Sequence, residues 1–337
     1  MALRLGGGET MYAKFLQVGP GAVARCHYGA AQLLCRTLPC VGLGRFQYPG
    51  LWLLGHLFGP AGWLIADLRD GIRIQVALAD PYWMYALLNH HFEPELESFF
   101  GGLSPARTLF IDCGANIGWW TLIARNRFHW DSIAVEPGAH LVRSMERNRE
   151  LSNTTFEIVR KAVWHTAGER LRFQSDRAHH AAGHLADVPG HIPIRRLPLA
   201  ATVETTTVDA LVYDWKLSHS TPDRIIIKVD VEGAEPQVID GAAATLAEGA
   251  ILIFEDHGSD RECQATKSAW AQGLKVFAPR QGGLIPIRTL GDVKKLKVSA
   301  GLGYNFVAVR DEATLVGWDQ SGVSEYTLHC TDTNATR

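Results

Sequence analysis

Two glycines, an asparagine and an acid in the segment 108–118 have types and a spacing that could bind a charged small molecule. Asp112 ends an apolar run and precedes the pattern Gly114-x-Asn116-x-Gly118. Glycines let a chain turn tightly and approach a ligand because they have no Cβ atom. A helix that begins directly after such a turn presents backbone N–H groups and its positive dipole end to an anion. The segment therefore predicts a socket for an anionic group.

A second acid, Glu136, follows the next apolar run, at the position where nucleotide-binding folds hold ribose hydroxyls. A dinucleotide fingerprint would need glycine where Asn116 and Trp119 stand. An acid two residues before the first glycine fits S-adenosylmethionine better than NAD: Asp112 would hold its ammonium group, and the turn its carboxylate. A glycine-rich turn without a ligand is the alternative. The expected cofactor-binding residues are Asp112, Gly114, Asn116, Gly118, Glu136 and Asp230.

Two later runs also end in polar groups: a β-branched run from Arg224 that is apolar through Ile227, and the apolar run 250–254. The residues that follow them are Asp230, Glu232, Glu255, Asp256 and His257. Such runs predict central strands of a parallel sheet, and ligands bind at the carboxyl ends of those strands. We expect Asp256, like Glu235, to be only a solvated or helix-capping group.

These groups predict a chemistry for the site. Methyl transfer from a sulfonium chiefly requires alignment of the nucleophile and exclusion of water, and a hydroxyl nucleophile must also lose its proton. We expect His257 to be the base, with Asp230 or Glu232 orienting the acceptor. A divalent cation held by Asp230, Glu232 and Glu255 is an alternative that we do not favour. Lys228 lies within its strand and is expected to pair internally.

These segments together resemble the FkbM family of S-adenosylmethionine-dependent methyltransferases over about residues 70–310. The matching pieces are Phe92-Glu-Pro-Glu95, Ile111-Asp-Cys-Gly-Ala-Asn-Ile-Gly118, Val135-Glu-Pro137, Thr207-Val-Asp209 and Ile227-Lys-Val-Asp-Val-Glu-Gly-Ala-Glu235. The resemblance implies O-methylation, typically of a sugar or natural-product hydroxyl. Cys113 and the pair Trp119-Trp120 depart from the residues usual at those positions.

The elements that position these groups predict an α/β protein. The resemblance implies a class I methyltransferase fold, a Rossmann-like, doubly wound and mostly parallel seven-stranded sheet with an antiparallel last strand. We expect an N-terminal extension or cap (1–100), the S-adenosylmethionine-binding domain (101–310) and a loosely ordered tail (311–337). The extension should hold a hairpin at 67–79 and a helix at 82–100. The domain should hold a helix after Gly118, a strand at 155–164, and a final antiparallel pair at 274–277 and 304–309.

Bulk properties agree with an enzyme of this size. The chain has 337 residues and a net charge of −2, which supplies no basic field for nucleic acid. Its six cysteines lack zinc-site spacing and show no Cys-x-x-Cys pair, so reduced thiols in a cytoplasmic protein are expected. The charge runs Arg195-Arg196 and Lys294-Lys295-x-Lys297 are expected to be solvated.

Two segments have no role in this scheme. The stretch 46–66 has no charged residue, but its prolines and glycines disfavour a spanning helix. We expect a buried cap over the active site; peripheral contact with a membrane that carries a glycolipid acceptor is the alternative. The histidines His179, His180, His184 and His191 fall in a polar insertion, 174–201, that we expect to bind the acceptor rather than a metal.

The predicted function is therefore an O-methyltransferase that acts on a hydroxyl of a saccharide, glycan or related natural product. The alternative is a non-catalytic module that binds S-adenosylmethionine and works through partners. The acceptor's identity and the oligomeric state are open.

Overall fold

The computed structural model describes residues 14–19, 21–58, 62–89, 92–175, 183–186, 188, 199–280, 283–300 and 302–315. The chain forms two compact units, Met1–Pro94 and Glu95–Arg337.

The first unit holds a three-stranded antiparallel sheet and three helices. Its elements are β1 (Lys14–Val18), α1 (Ala22–Cys40), α2 (Gln47–Phe58), β2 (Trp63–Asp67), β3 (Arg73–Ala77) and α3 (Pro81–Asn89), and the strand order is β1-β2-β3. Strands β2 and β3 turn at Asp70 and Gly71, whose φ angles of 61° and 73° are those that a tight hairpin turn requires. The predicted hairpin is confirmed, although it begins at Trp63.

The predicted helix over 82–100 is wrong, because it is two helices. Helix α3 ends at Asn89, and α4 (Pro94–Gly102) begins at a proline. Proline cannot continue a helix interior and disfavours helical backbone in the residue before it. Glu93, directly before it, has a φ of 42°.

The uncharged stretch 46–66 forms α2 and part of β2, with 59–61 outside the described residues. Helix α2 buries Leu51 and Gly55 but exposes Trp52 and Leu57, so the expected cap is buried on one face only. In the part of the chain that the structure describes, no helix combines the length and the apolar character needed to cross a membrane.

The second unit is built on two sheets. After α4, its strands are β4 (Thr108–Cys113), β5 (Asp131–Val135), β6 (Glu157–Val159), β7 (Ala162–Val163), β8 (Arg170–Ser175), β9 (His184–Leu185), β10 (Leu199–Thr206), β11 (Arg224–Val229), β12 (Ile251–Glu255), β13 (Lys275–Arg280), β14 (Gly283–Ile287) and β15 (Asn305–Val309). Its remaining helices are α5 (Trp119–Asn126), α6 (Ala139–Leu151), α7 (Val208–Ser218), α8 (Glu235–Asp240), α9 (Ala243–Ala247), α10 (Gln264–Ala271) and α11 (Leu290–Leu296).

The larger sheet has the order β14-β13-β15-β12-β11-β4-β5-β6. Strand β15 runs antiparallel between β12 and β13, while β12, β11, β4, β5 and β6 are parallel neighbours. The predicted class I methyltransferase fold is thereby confirmed, including the antiparallel strand inside the edge. An eighth strand, β14, pairs with β13 and was not predicted. Every residue of β4 is buried, as expected for a central strand covered on both faces.

The smaller sheet corrects the predictions for 155–164 and 174–201. The first stretch is two strands, since β6 joins the larger sheet and β7 pairs with β10 in the smaller one, whose order is β7-β10-β8-β9. The ends of the insertion form an antiparallel pair, with Gln174 opposite Ala200. His184 lies in β9 opposite Gln174, so the helical spacing of a metal site does not hold there. His179, His180, His191 and the Arg195-Arg196 pair lie outside the described residues.

Helix α5 begins after Gly118 as predicted. In the predicted tail, residues 312–315 form a short turn with Leu315 buried, and the rest lies outside the described residues. Five cysteines, Cys26, Cys35, Cys40, Cys113 and Cys263, are free thiols, and Cys330 falls beyond the described part of the chain.

Candidate functional site

Four neighbouring strands bring the predicted residues to one edge of the larger sheet. Strands β12, β11, β4 and β5 are adjacent and parallel, so their carboxyl ends lie side by side. Asp112 is the register partner of Ala134 on one side and of Lys228 on the other. Glu136 directly follows β5, so the two acids expected to bind the cofactor are on neighbouring strands.

In the turn between β4 and α5, three backbone N–H groups donate to carbonyl groups of the protein itself. The N–H groups of Gly114 and Ala115 donate to the Val135 carbonyl at 2.9 and 3.1 Å. The Gly118 N–H donates to the Ala115 carbonyl at 2.8 Å. The first two amides hold the turn against β5 and the third closes the turn on itself, which differs from the expectation that the turn's own amides form the anion socket.

The glycines of this turn make room for protein atoms. Gly114 has a φ of 82°, and a Cβ atom there would lie 1.8 Å from the carbonyl oxygen of Asp230. Gly118 has a φ of 85°, and its Cβ would lie 2.8 Å from Cγ of Met145. Both positions favour glycine for conformation, and position 114 also for contact with β11.

Glu136 joins the ends of β4 and β5. One carboxylate oxygen accepts from the Asn116 N–H at 3.0 Å and the other from the Gly138 N–H at 2.8 Å. The residue is only 4% exposed. A carboxylate oxygen can accept more than one hydrogen bond, so this arrangement leaves acceptor capacity for a ribose hydroxyl.

Asp112 is buried between β11 and α5. Its Oδ2 accepts from the Thr121 hydroxyl at 2.6 Å. Burial raises the pKa of Asp112 above its usual value, and the Lys228 ammonium opposes this rise. Its carboxyl group thus lies within the protein, beside the turn.

Lys228 pairs internally, as the sequence predicted. Its ammonium lies 2.9 Å from Oδ2 of Asp230, and its side chain is 4% exposed. Burial alone would raise the pKa of Asp230, but the charge and hydrogen bond of Lys228, together with Glu255 and His257, hold that pKa below its usual value. Asp230 is therefore an ionised group that still reaches solvent, since its side chain is 26% exposed.

The pKa of Glu232 is shifted in the opposite direction from that of Asp230. Burial, followed by the negative charges of Asp230 and Glu235, raises the pKa of Glu232 well above its usual value. Its backbone has a φ of 56°, in the left-handed region that non-glycine residues rarely adopt. Such backbone strain is concentrated at functional sites.

Glu235 is not a solvated group. It is 4% exposed, and its carboxylate accepts from the Val231 and Gly233 N–H groups at 3.1–3.2 Å. It therefore holds the loop that carries Glu232 at the start of α8, which is a capping role in a buried setting.

Strand β12 delivers a further carboxyl group to Asp230. Glu255 ends this strand, and a hydrogen bond to its side chain contributes to the low pKa of Asp230. A hydrogen bond between two carboxyl groups needs a shared proton. On the far side, Gly303 lies against Glu255, because a Cβ at position 303 would be 1.7 Å from its Oε1.

His257 is held through Nδ1. This atom lies 2.7 Å from Oγ of Ser259 and accepts from the Ser259 N–H at 3.2 Å. The charge of His257 also acts on Asp230 and lowers its pKa, so the two groups are neighbours. Ser259 thus fixes the orientation of the imidazole through Nδ1.

Asp256 and Lys297 form a buried pair. Asp256 is 1% exposed, pairs with the Lys297 ammonium and accepts from the Thr266 N–H at 3.2 Å. Because Thr266 lies in the first turn of α10, Asp256 is a helix-capping group, one of its two expected roles, but it is not solvated. Lys297 also donates to the Asp260 carbonyl at 2.8 Å and does not belong to a solvated run, contrary to expectation.

The described residues show no arrangement that supports the alternative of a bound divalent cation. Among the residues that the structure describes, no group of three or more His, Cys, Asp or Glu side chains is arranged to hold a metal ion. Asp230, Glu232 and Glu255 are therefore neighbours without forming such a group.

The donor set fits the expected cofactor. S-adenosylmethionine carries a sulfonium and an ammonium charge, and Asp112, Asp230, Glu232 and Glu255 bring carboxyl groups to the edge beside Lys228. Acids beside a cationic ligand lower the cost of burying its charge. Glu136 stands at the end of the second strand, the place for ribose hydroxyls.

Sequence reasoning assigned no role to Glu95 and Asn305. The Asn305 side-chain amide donates to Oε1 of Glu95 at 3.1 Å, and Asn305 is the register partner of Glu255. Glu95 belongs to the quoted piece Phe92-Glu-Pro-Glu95, which was its only signal. The roles of Thr121 and Ser259 had no signal, because each depends on a contact across the fold or a loop.

Comparison with known proteins agrees with this site. Residues 112–274 match the family model described as the methyltransferase FkbM domain. This match spans the site residues from Asp112 to His257. No curated protein matches the chain at a significant level.

Several solved structures are similar. A precorrin-6y C5,15-methyltransferase from Geobacter metallireducens is 13% identical, with 65% of this chain and 87% of that chain covered and a TM-score of 0.33. A SAM-dependent methyltransferase from Agrobacterium tumefaciens is 12% identical, with 73% and 69% covered and a TM-score of 0.33. A putative SAM-dependent methyltransferase from Streptococcus mutans is 11% identical, with 73% and 55% covered and a TM-score of 0.37.

The sheet order and the family match lead to one conclusion. The chain has a class I methyltransferase fold, and its residues 112–274 match the methyltransferase FkbM domain, a similarity that implies S-adenosylmethionine as the cofactor.

Proposed function

We propose that the chain transfers a methyl group from S-adenosylmethionine to a hydroxyl of a saccharide, glycan or related natural product. The observation that carries this proposal is that Asp230 and His257 follow the adjacent parallel strands β11 and β12 at the sheet edge, beside the family's glycine turn. A hydroxyl acceptor needs such a pair, because it must be both oriented and deprotonated.

When bound, S-adenosylmethionine supplies an electrophilic methyl group on its sulfonium. The residues at the edge must place the acceptor oxygen in line with that group. Asp230 is held ionised by Lys228, so it accepts a hydrogen bond from the acceptor hydroxyl. A carboxylate with a lowered pKa is a weak base, so Asp230 orients the hydroxyl rather than taking its proton.

His257 is the proposed proton acceptor. Its Nδ1 faces Ser259, so a proton from the acceptor would be taken at Nε2. This requires the tautomer in which Nδ1 carries hydrogen and donates to Oγ of Ser259, because Nε2 is then an acceptor. In that tautomer Nδ1 gives up the hydrogen bond from the Ser259 N–H, and the Ser259 hydroxyl alone holds the imidazole.

The surrounding groups favour an acceptor with several hydroxyls. Glu232 has a raised pKa, and its protonated form can donate a hydrogen bond, whereas Asp230 accepts one. A donor beside an acceptor matches two neighbouring hydroxyls of a saccharide. This is the support for a polyhydroxylated acceptor class.

The first test is cofactor binding. The purified chain is titrated calorimetrically with S-adenosylhomocysteine and, as the control ligand, with NADH. Micromolar binding of the former alone is expected. Glu136→Gln should weaken that binding by roughly 10- to 100-fold, the loss of a charge-assisted hydrogen bond, whereas the exposed Glu248→Gln should not. NADH binding with no S-adenosylhomocysteine binding would refute the cofactor assignment.

The second test is turnover with methyl-labelled S-adenosylmethionine. Acceptor panels of saccharides, glycolipid extract, RNA and protein are compared, and the labelled product is identified. Label in a saccharide hydroxyl supports the proposal. Label only in RNA or protein would overturn the acceptor class, and binding without turnover on any panel would favour the non-catalytic module.

A further inference from the structure

The helical segment of the first unit has an unusual charge pattern. Residues 10–66 contain no Asp or Glu. Helices α1 and α2, with the turn between them, expose three arginines, Arg25, Arg36 and Arg45. A surface of this segment is therefore cationic, although the whole chain is slightly acidic.

Helix α2 exposes mostly apolar side chains on its outer side, where His56 lies against Trp52 with ring centroids 3.8 Å apart. Leu51 and Gly55 are buried, whereas Trp52, Leu53 and Leu57 are 42%, 52% and 71% exposed. A surface helix of a globular protein normally carries polar residues on its outer face. The outer side of α2 therefore presents apolar area to its surroundings.

Aromatic side chains surround this outer face. Tyr48 of α2 and Tyr85 of α3 are both exposed, with ring centroids 6.2 Å apart. The Arg45 guanidinium lies 4.9 Å from the centroid of the Phe46 ring, and Phe46 is 45% exposed. Trp, Tyr and Arg beside aliphatic groups are the composition of proteins that lie in a membrane interface.

The exposed arginines favour an anionic lipid surface over a second copy of this chain as the partner. An anionic lipid surface pairs with the arginines while its acyl boundary receives Trp52 and Leu57. A second copy of this chain would bring the same arginines and no acid from this segment to a symmetric contact. Helix α2 has 12 residues, about 18 Å, which is shorter than the apolar core of a bilayer, so it lies along the surface.

We propose that the outer face of α2, formed by Trp52, Leu53 and Leu57 with Tyr48 and Phe46, binds the surface of an anionic lipid bilayer. Exposed arginines of α1 and of the turn before α2 add electrostatic attraction. This surface lies in the first unit and is independent of the methyl-transfer site, so the proposal does not rest on the proposed function.

The test is flotation of the full chain with vesicles. Phosphatidylcholine vesicles are compared with vesicles that also contain phosphatidylglycerol. The chain should float with the anionic vesicles, and high salt should reduce the bound fraction. The double substitution Trp52→Ser with Leu57→Ser should lower partitioning at least about tenfold. Arg36→Gln with Arg45→Gln should lower it only for the anionic vesicles.

The matched control removes equal apolar exposure elsewhere. Tyr213 and Leu217 of α7 are 65% and 70% exposed, and Tyr213→Ser with Leu217→Ser should leave flotation unchanged. Thermal melts verify that all variants are folded. Absence of flotation, or equal loss in both double variants, would overturn the proposal. A dimer that the Trp52 and Leu57 substitutions abolish, in a chain that ignores vesicles, would assign the face to self-association instead.

Discussion

The carbonyl oxygen of Asp230 lies where a side chain on residue 114 would begin: a Cβ atom on Gly114 would stand 1.8 Å away. The Asp230 N–H also donates to the Cys113 carbonyl at 3.0 Å. The glycine turn and the proposed acceptor-orienting carboxylate are therefore fixed to each other through the backbone. A change in one must displace the other.

Gly114→Ala should therefore destabilise the protein and disturb the site. The φ of 82° and the overlap with backbone atoms together predict a loss of roughly 2–5 kcal/mol in the free energy of unfolding. Gly101→Ala is the control, since no atom lies within 4 Å of a Cβ there and its backbone is helical. Urea unfolding measures both. Equal stability of the two variants would show that the contact between β4 and β11 is looser than described.

Lys228→Met should be far more costly than Lys216→Met. Lys228 is 4% exposed beside Asp230 and Asp112, so its loss leaves carboxylates without a buried counter-charge, at about 3 kcal/mol. Lys216 pairs with Glu248 on the surface, where such pairs contribute about 0–1 kcal/mol. Chemical denaturation of both variants measures the difference. Similar costs would contradict the buried-pair description.

His257→Asn and Ser259→Ala test the proposed base. The first should lower kcat by roughly 10²–10⁴-fold, and the second by up to about tenfold, since it removes one hydrogen bond that selects the tautomer. Affinity for S-adenosylhomocysteine should stay unchanged in both. His165, whose Nδ1 lies 2.7 Å from Oγ1 of Thr166, supplies the matched control His165→Asn. Near-normal kcat in His257→Asn would reassign the proton to another group.

Glu232→Gln should change the pH dependence of stability. The pKa of Glu232 in the folded protein lies well above its ordinary 4.5. Between 4.5 and that raised value, the folded state binds more protons than the unfolded chain, so the free energy of unfolding falls as pH rises. Because the variant lacks this titration, its stability relative to the wild type should increase with pH over this window.

Urea unfolding at several pH values between about 4.5 and 8 measures this difference. The exposed Glu248→Gln provides the control, whose difference from the wild type should stay within about 0.5 kcal/mol. If the difference in free energy of unfolding between Glu232→Gln and the wild type also does not change with pH, Glu232 ionises normally in the folded protein.

Several elements could be predicted because their signals are local. The β2–β3 turn depends on Asp70 and Gly71 alone, and the start of α5 on the glycine turn before it. Apolar runs that end in acids predicted the central strands, since burial on both faces permits little else. The prediction of one helix over 82–100 was wrong although its signal is also local, since Pro94 begins α4 and disfavours helical backbone in the residue before it.

Two predictions, a single strand over 155–164 and a solvated Lys297, were wrong for another reason. No local pattern states that the chain leaves the larger sheet between β6 and β7, because that depends on β10, which arrives later to pair with β7. A lysine in a basic run is solvated unless a distant element buries it. Lys297 is buried beside Asp256, which lies 41 positions away in the sequence.

The sequence by itself determined which chemical groups stand at the strand ends and in what order, because periodicity and glycine spacing act between near neighbours. Only the tertiary structure decided which of these groups pair. The register of β4 against β11 puts Lys228 beside Asp112, and β15 brings Asn305 to Glu95 across 210 positions. Such pairings set the ionisation of Asp230 and Glu232, since burial and neighbouring charge arise only when strands from distant parts of the chain pack together.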